Sequence, residues 1–239
     1  MKLSIEFTLT KKEFPLDFRR VFLALLKKCL AEADNGKYMD KYYEAGKEKD
    51  FTFAVFFSEP VFRKTHIELK AERGKLLFSC AETFTGFLFF SAFLEQRGKA
   101  FPLEKGNHLT IQSVKKVAEP ETKESQAMVK MLSPLCVREH KREKNWDQYY
   151  IYDDEDFQKK ALYVIKNKLL RAGFSEELSE TFKITPVNCK KTVVEFYKRK
   201  IPCSLGYFLL EGDRAVLNYL LRAGLASRCS AGFGMPELK

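Results

Sequence analysis

The chain has 239 residues, 45% of them hydrophobic, with 42 lysine and arginine side chains against 32 aspartate and glutamate and a formal charge of +10. That much apolar material fills real cores and excludes a disordered chain, and the length suits two modest domains or one large one. The basic excess favours a polyanionic partner: RNA, DNA or an acidic membrane surface.

Residues 2–9 alternate, with Leu3, Ile5, Phe7 and Leu9 on one face, and predict a strand. A helix follows Pro15, with Phe18, Val21, Phe22, Leu25 and Cys29 as its apolar stripe and Arg20 and Lys27 seven residues apart on the opposite face. The charged, tyrosine-rich segment 34–50 reads as a loop with room for a short helix. Residues 51–57 predict a strand bounded by Pro60, and 62–70 and 75–80 predict a hairpin turning near Arg73 and Gly74. A second helix is expected over 83–97, stopped by Gly98, before a strand at 108–117.

Residues 118–125 are polar, contain Pro120 and read as a linker, which sets the expected domains at 1–120 and 126–239. The second half opens with a strand at 128–132, then a polar, basic excursion over 138–147 and an aromatic run at 149–152. A helix started by Asp153, Asp154 and Asp156 carries Phe157, Ala161, Val164, Ile165 and Leu169 and ends at Gly173. Strands are expected at 180–187, 192–197 and 203–210, then a helix capped by Asp213, a glycine-rich loop at 224–234 and a closing strand. Both halves thus read β-α-β-β-α-β, so the expected fold class is α+β: tandem ferredoxin-like modules packed side by side. Leu-Leu-Arg-Ala-Gly occurs at 169–173 and again at 220–224.

The six cysteines form no Cys-x-x-Cys pair, so neither a metal site nor another cofactor is expected; they read as reduced packing thiols in a cytoplasmic protein. The first residues lack the apolar block of a signal peptide, and the longest near-apolar stretch, 84–94, is too short for a bilayer, so no membrane partner is expected.

The segments Phe14-Pro15-Leu16-Asp17-Phe18-Arg19-Arg20, Lys49-Asp50-Phe51-Thr52-Phe53, Leu132-Ser133-Pro134-Leu135-Cys136-Val137-Arg138-Glu139-His140, 207–212 and 224–234 follow one another along nearly the full length. In this order the chain resembles the CRISPR-associated endoribonucleases that cut repeat RNA into guide units, the Cas-six branch of the RAMP proteins. The resemblance implies metal-independent cutting of CRISPR repeat RNA through attack of its own 2′-hydroxyl, giving a 2′,3′-cyclic phosphate and a 5′ hydroxyl. It also admits a homodimer and contacts with other subunits of a CRISPR effector complex. Its alternative is a repeat-RNA-binding subunit that does not cut.

Such a cut needs a base for the 2′-hydroxyl proton, an acid for the leaving oxygen and cations for the extra charge. Several family members place a catalytic histidine shortly before the second strand, but residues 37–49 contain none. The matching position falls on Tyr42 or Tyr43, a helix position held by tyrosine elsewhere falls on Lys27, and a downstream lysine matches Lys49. The preferred catalytic set is therefore Lys27, Tyr42 and Lys49, joined by His140, the one histidine in a basic polar run. RNA contacts are expected from Arg20, from Arg138, Lys141 and Arg142, and from the glycine-loop region: Arg222, Gly224, Arg228, Gly232 and Gly234. Main-chain N–H groups of that loop and its flanking arginines would face phosphates. Trp146 reads equally as a stacking platform for a base or as a loop anchor. A third reading, a single-strand binder of the RRM type, lacks its aromatic signature in this chain.

Overall fold

The computed structural model describes residues 1–43, 49–141, 143 and 146–239. In chain order the first half comprises β1 (Lys2–Leu9), β2 (Glu13–Pro15), α1 (Phe18–Glu32), α2 (Met39–Tyr43), β3 (Phe51–Phe57), β4 (Val61–Phe62), β5 (His66–Glu68), β6 (Arg73–Cys80), α3 (Thr83–Glu95), β7 (Ala100–Pro102) and β8 (His108–Val117). The main sheet has the order β3-β6-β1-β8-β7, and neighbouring strands run antiparallel. Alternation in β1 sends Leu3, Ile5, Phe7 and Leu9 to one face, where α1 and α3 cover them. Phenylalanines fill this core: Phe7 packs on Phe22 of α1 at 5.4 Å between ring centroids, and Phe78 on Phe89 of α3 at 4.6 Å.

The expected hairpin of 62–70 with 75–80 is not formed. Instead β5 pairs with β2 and β4 in a separate three-stranded sheet, and β6 lies between β1 and β3. Leu76, Phe78 and Cys80 need the helix-covered face, and that face exists only in the main sheet. Local alternation marks an extended chain but leaves the pairing partner open.

The second half comprises β9 (Gln126–Met131), β10 (Val137–Lys141), β11 (Trp146–Tyr150), α4 (Phe157–Arg171), α5 (Glu176–Glu180), β12 (Lys183–Phe196), β13 (Arg199–Glu211), α6 (Arg214–Ala223) and β14 (Pro236–Leu238). The sheet order is β12-β13-β9-β14. The polar excursion over 138–147 becomes the β10–β11 hairpin. The two strands expected over 180–197 are one strand, β12, with a bulge between Pro186 and Asn188. Lys190 and Lys191 interrupt the apolar pattern, but β12 is an edge strand, where exposed lysines are tolerated and discourage further pairing.

Setting aside the added β7, both sheets have the same order: second, third, first and fourth strand of a β-α-β-β-α-β unit. The molecule is a tandem of ferredoxin-like folds. A small apolar cluster of Cys136, Val194, Phe196, Ile201, Cys203 and Phe233 joins the halves, with Leu23 of α1 packed against it. Among the described residues no helix is long and apolar enough to cross a membrane.

Candidate functional site

The glycine loop leaves α6 at Gly224, with φ +84°, and threads between the halves. From the first half, Thr52 Oγ1 donates to the Phe233 carbonyl at 2.8 Å and Arg19 Nε to the Gly232 carbonyl at 3.0 Å. The Arg19 guanidinium lies between the rings of Phe18 and Phe233, at 4.5 and 4.7 Å, and burial pulls its pKa down to about 10. A Cβ on Gly232 would meet the Phe53 ring at 2.5 Å, and one on Gly234 the Leu225 carbonyl oxygen at 2.1 Å. The N–H groups of Gly224, Gly232 and Gly234 donate to the carbonyls of Leu220, Cys229 and Pro134. The expected open phosphate cradle at these three glycines is therefore corrected: they are buried and their donors are already engaged, so they pack the joint.

The other side of the loop, 226–230, walls a cleft of about 370 Å³ shared with Lys49 from the first half and Arg138, Val164, Lys168 and Arg171 from the second. Among the described residues, five of its lining side chains are lysine or arginine and none is a carboxylate. Lys168 is buried and donates to the carbonyls of Ala223 and Gly224 at 3.0 and 2.8 Å, capping the C-terminus of α6 and tying α4 to the start of the loop. Lys168 and Arg171 were not among the expected site residues. Their signal in the sequence was the first Leu-Leu-Arg-Ala-Gly copy, whose arginine faces the cleft. Arg222 of the second copy instead lies in a groove with the linker, near Glu119 at 4.0 Å.

Above Lys49 the three catalytic candidates from the first half separate by one residue. Tyr42 is 2% exposed, packs on Phe51 and Phe89, and shares a 2.8 Å hydrogen bond with Thr85 Oγ1. Burial, only partly offset by that bond, pushes its pKa up to about 12. It is a core residue. Its neighbour Tyr43 takes the place between the lysines: Lys27 Nζ stands 5.0 Å and Lys49 Nζ 5.2 Å from its ring centroid. The Tyr43 hydroxyl is enclosed and has no hydrogen-bond partner among the described residues. Burial, reinforced by the nearby Cys29, raises its pKa above the usual phenol value. Burial and then the Lys27 charge lower that of Lys49. The one-residue shift is a matter of helix phase: consecutive positions on α2 point about 100° apart, and only packing decides which one faces the core.

The β10–β11 hairpin carries a second polar centre. Asp147, with a side chain 10% exposed, accepts from Arg138 Nη1 at 3.3 Å, His140 Nδ1 at 2.8 Å, Tyr149 Oη at 3.2 Å and Arg228 Nη2 at 3.1 Å. Burial acts to raise the Asp147 pKa, but the His140 hydrogen bond and the Arg138 and Arg228 charges outweigh it and hold the carboxyl below its ordinary value. Arg228 also stacks on Phe196 at 5.7 Å, and its Nε is buried without an acceptor. Thus Arg138, His140 and Arg228 meet at one carboxylate beside the cleft. Lys141 lies on the opposite face of the hairpin, over Trp146 at 5.5 Å. Arg20 is remote, stacked at 4.8 Å on Tyr197 at the β12–β13 tip. Arg142 lies outside the described residues. Among those described, no three of His, Cys, Asp and Glu converge in a way that would hold a metal ion.

A family model described as CRISPR associated protein Cas6, C-terminal, matches residues 117–238. Among solved structures, the chain is similar to one described as a characterization of a Cas6-related gene from Pyrococcus furiosus, at 15% identity and TM-score 0.85, covering 100% of this chain and 98% of that one. It is similar to an RAMP protein binding different RNA substrates, at 18% identity and TM-score 0.81, covering 100% and 99%. A Cas6 product complex matches at 16% identity and TM-score 0.72, covering 100% of both chains. No curated protein matches the chain.

Proposed function

Because the chain belongs to the CRISPR-associated Cas6 family, we propose that it binds CRISPR repeat RNA in the cleft between its two halves and cuts it there without a metal ion. The observation that carries this reading is the cleft itself: Lys49, Arg138, Lys168, Arg171 and Arg228 line one space with no carboxylate among its described residues, and the Lys27–Tyr43–Lys49 group stands at its edge. The units on either side are residues 1–120 and 126–239.

In this mechanism the 2′-oxygen bonds to the adjacent phosphorus as the bond from phosphorus to the 5′-oxygen breaks. A 2′,3′-cyclic phosphate and a 5′ hydroxyl result. Arginine forks from Arg138 and Arg228 hold the phosphate. Lys27 stabilises the extra negative charge of the transition state. Lys49, its pKa lowered by burial and by Lys27, gives its proton to the departing 5′-oxygen more readily than an ordinary lysine would. Tyr43, its phenol kept protonated, is a hydrogen-bond donor rather than a base.

The absence of histidine from residues 37–49 favours a second reading, a repeat-RNA-binding subunit that does not cut. One assay separates the two. Labelled repeat RNA is incubated with the protein in EDTA, beside a copy carrying a 2′-deoxy sugar just upstream of the cut. Cleavage of the first and survival of the second is the expected result. Tight binding without any cleavage at high protein concentration would establish the non-cutting subunit instead.

A further inference from the structure

Asp147 lies outside the catalytic set proposed above, yet it is the carboxylate on which three cationic or proton-carrying side chains of the site converge. An ionised carboxylate can only accept, so the 2.8 Å contact makes His140 Nδ1 the donor and leaves Nε2 as the ring nitrogen that carries the lone pair. The same carboxylate takes Nη1 of Arg138 through both oxygens and Nη2 of Arg228 through one, and Tyr149 Oη bridges Asp147 and Arg228, bonding each at 3.1–3.2 Å. Arg138 and Arg228 line the cleft, and His140 stands two residues from Arg138 on the same face of β10. Arg228 depends on this support. Its backbone is left-handed, its Nε has no acceptor among the described residues, and Asp147 supplies its ion pair.

We infer that Asp147 is the positioning residue of the cleft: it fixes His140 in the Nδ1–H tautomer and holds Arg138 and Arg228 in the orientation in which their remaining N–H groups meet an RNA phosphate. With Asp147 in place, His140 takes a proton at Nε2 from the 2′-hydroxyl while the Lys49 ammonium gives one to the departing 5′-oxygen, and the imidazolium that forms keeps its Nδ1–H on the carboxylate. This rests on the RNA-cutting reading above.

The test is Asp147→Asn, with Asp147→Glu as the conservative control, in the full chain. A role limited to charge predicts tighter RNA binding and no slower reaction, because an anion has been removed beside a polyanion site. Positioning predicts that Asp147→Asn lowers the single-turnover cleavage rate at saturating RNA at least tenfold without tightening RNA binding, because Arg138 and Arg228 lose the orientation in which they meet phosphate, and that Asp147→Glu restores part of the rate. Imidazole ¹⁵N shifts in the RNA-free protein supply a readout independent of cleavage. The wild type should show His140 protonated at Nδ1, and Asp147→Asn should lose that preference. Full single-turnover rate in Asp147→Asn, or a wild-type His140 protonated at Nε2, overturns the inference while leaving RNA cutting intact. A wild type that binds but never cuts overturns the cutting reading, and with it the proton transfer by His140.

Discussion

At the scale of single residues, the two adjacent tyrosines of α2 make opposite predictions. Tyr42→Phe removes a buried hydrogen bond to Thr85, whose hydroxyl keeps Asp50 as a partner, so it should cost about 1 kcal/mol in denaturant melts and leave cleavage unchanged. Tyr43→Phe removes a hydroxyl that is enclosed and unpartnered among the described residues, so stability should hold or rise slightly. A group that contributes no stability where it stands is a candidate for use with substrate. Tyr43→Phe should therefore slow single-turnover cleavage about tenfold, and an unaltered rate would remove Tyr43 from the mechanism. Asp147 adds a pH signature. Its folded pKa lies below the ordinary 3.8, so the unfolded chain binds more protons in that range. Its contribution is complete above the ordinary carboxylate value and disappears as pH falls through the lower folded value. The thermal-stability gap between wild type and Asp147→Asn should therefore be widest near neutral pH and close in strong acid.

At the scale of elements, the glycine loop is the decisive piece, and it acts by packing. Its inner side holds Phe233 and Gly232 against Thr52, Phe53 and Arg19, and its outer side forms the cleft wall. Gly232→Ala adds a methyl group where the Phe53 ring already stands, at φ +81°, and combines overpacking with backbone strain. A loss of about 2–3 kcal/mol is expected in equilibrium unfolding, with RNA affinity falling because the cleft wall moves. Retained affinity in a destabilised Gly232→Ala would show that loop and cleft are uncoupled. Lys168 performs a related task, since its ammonium caps α6 at the point where the loop begins.

At the scale of the molecule, the joint makes one surface from two halves. Glu119 in the linker receives the Met1 amino group at 3.2 Å and lies 4.0 Å from Arg222, while Thr122 and Asn218 exchange two hydrogen bonds. The linker is thus fastened at both ends, and Lys49 can share a cleft with Arg138 and Arg171. Phosphate contacts of this kind make affinity depend on salt more than on sequence. Arg138→Ala should weaken binding of repeat and unrelated RNAs to a similar degree and reduce the slope of log affinity against log salt by about 1. A loss confined to the repeat sequence would assign Arg138 to base reading instead.

Much of this architecture was written into local pattern. The alternation of residues 2–9, the apolar stripes of α1, α4 and α6, Asp213 as a cap and Gly98 as a stop follow from periods and torsional preferences that a few neighbouring residues set by themselves. The basic, two-unit character of the chain and the order of its segments along the sequence were legible for the same reason. What the tertiary structure decided was everything that depends on residues far apart in the chain: the partner of β6, the continuity of β12 through its lysines, the burial of the glycine loop, the choice of Tyr43 over Tyr42, and the meeting of Arg138, His140 and Arg228 at Asp147. Those outcomes are settled by which face is covered and which donors are already bonded, and no window of neighbouring residues contains that information.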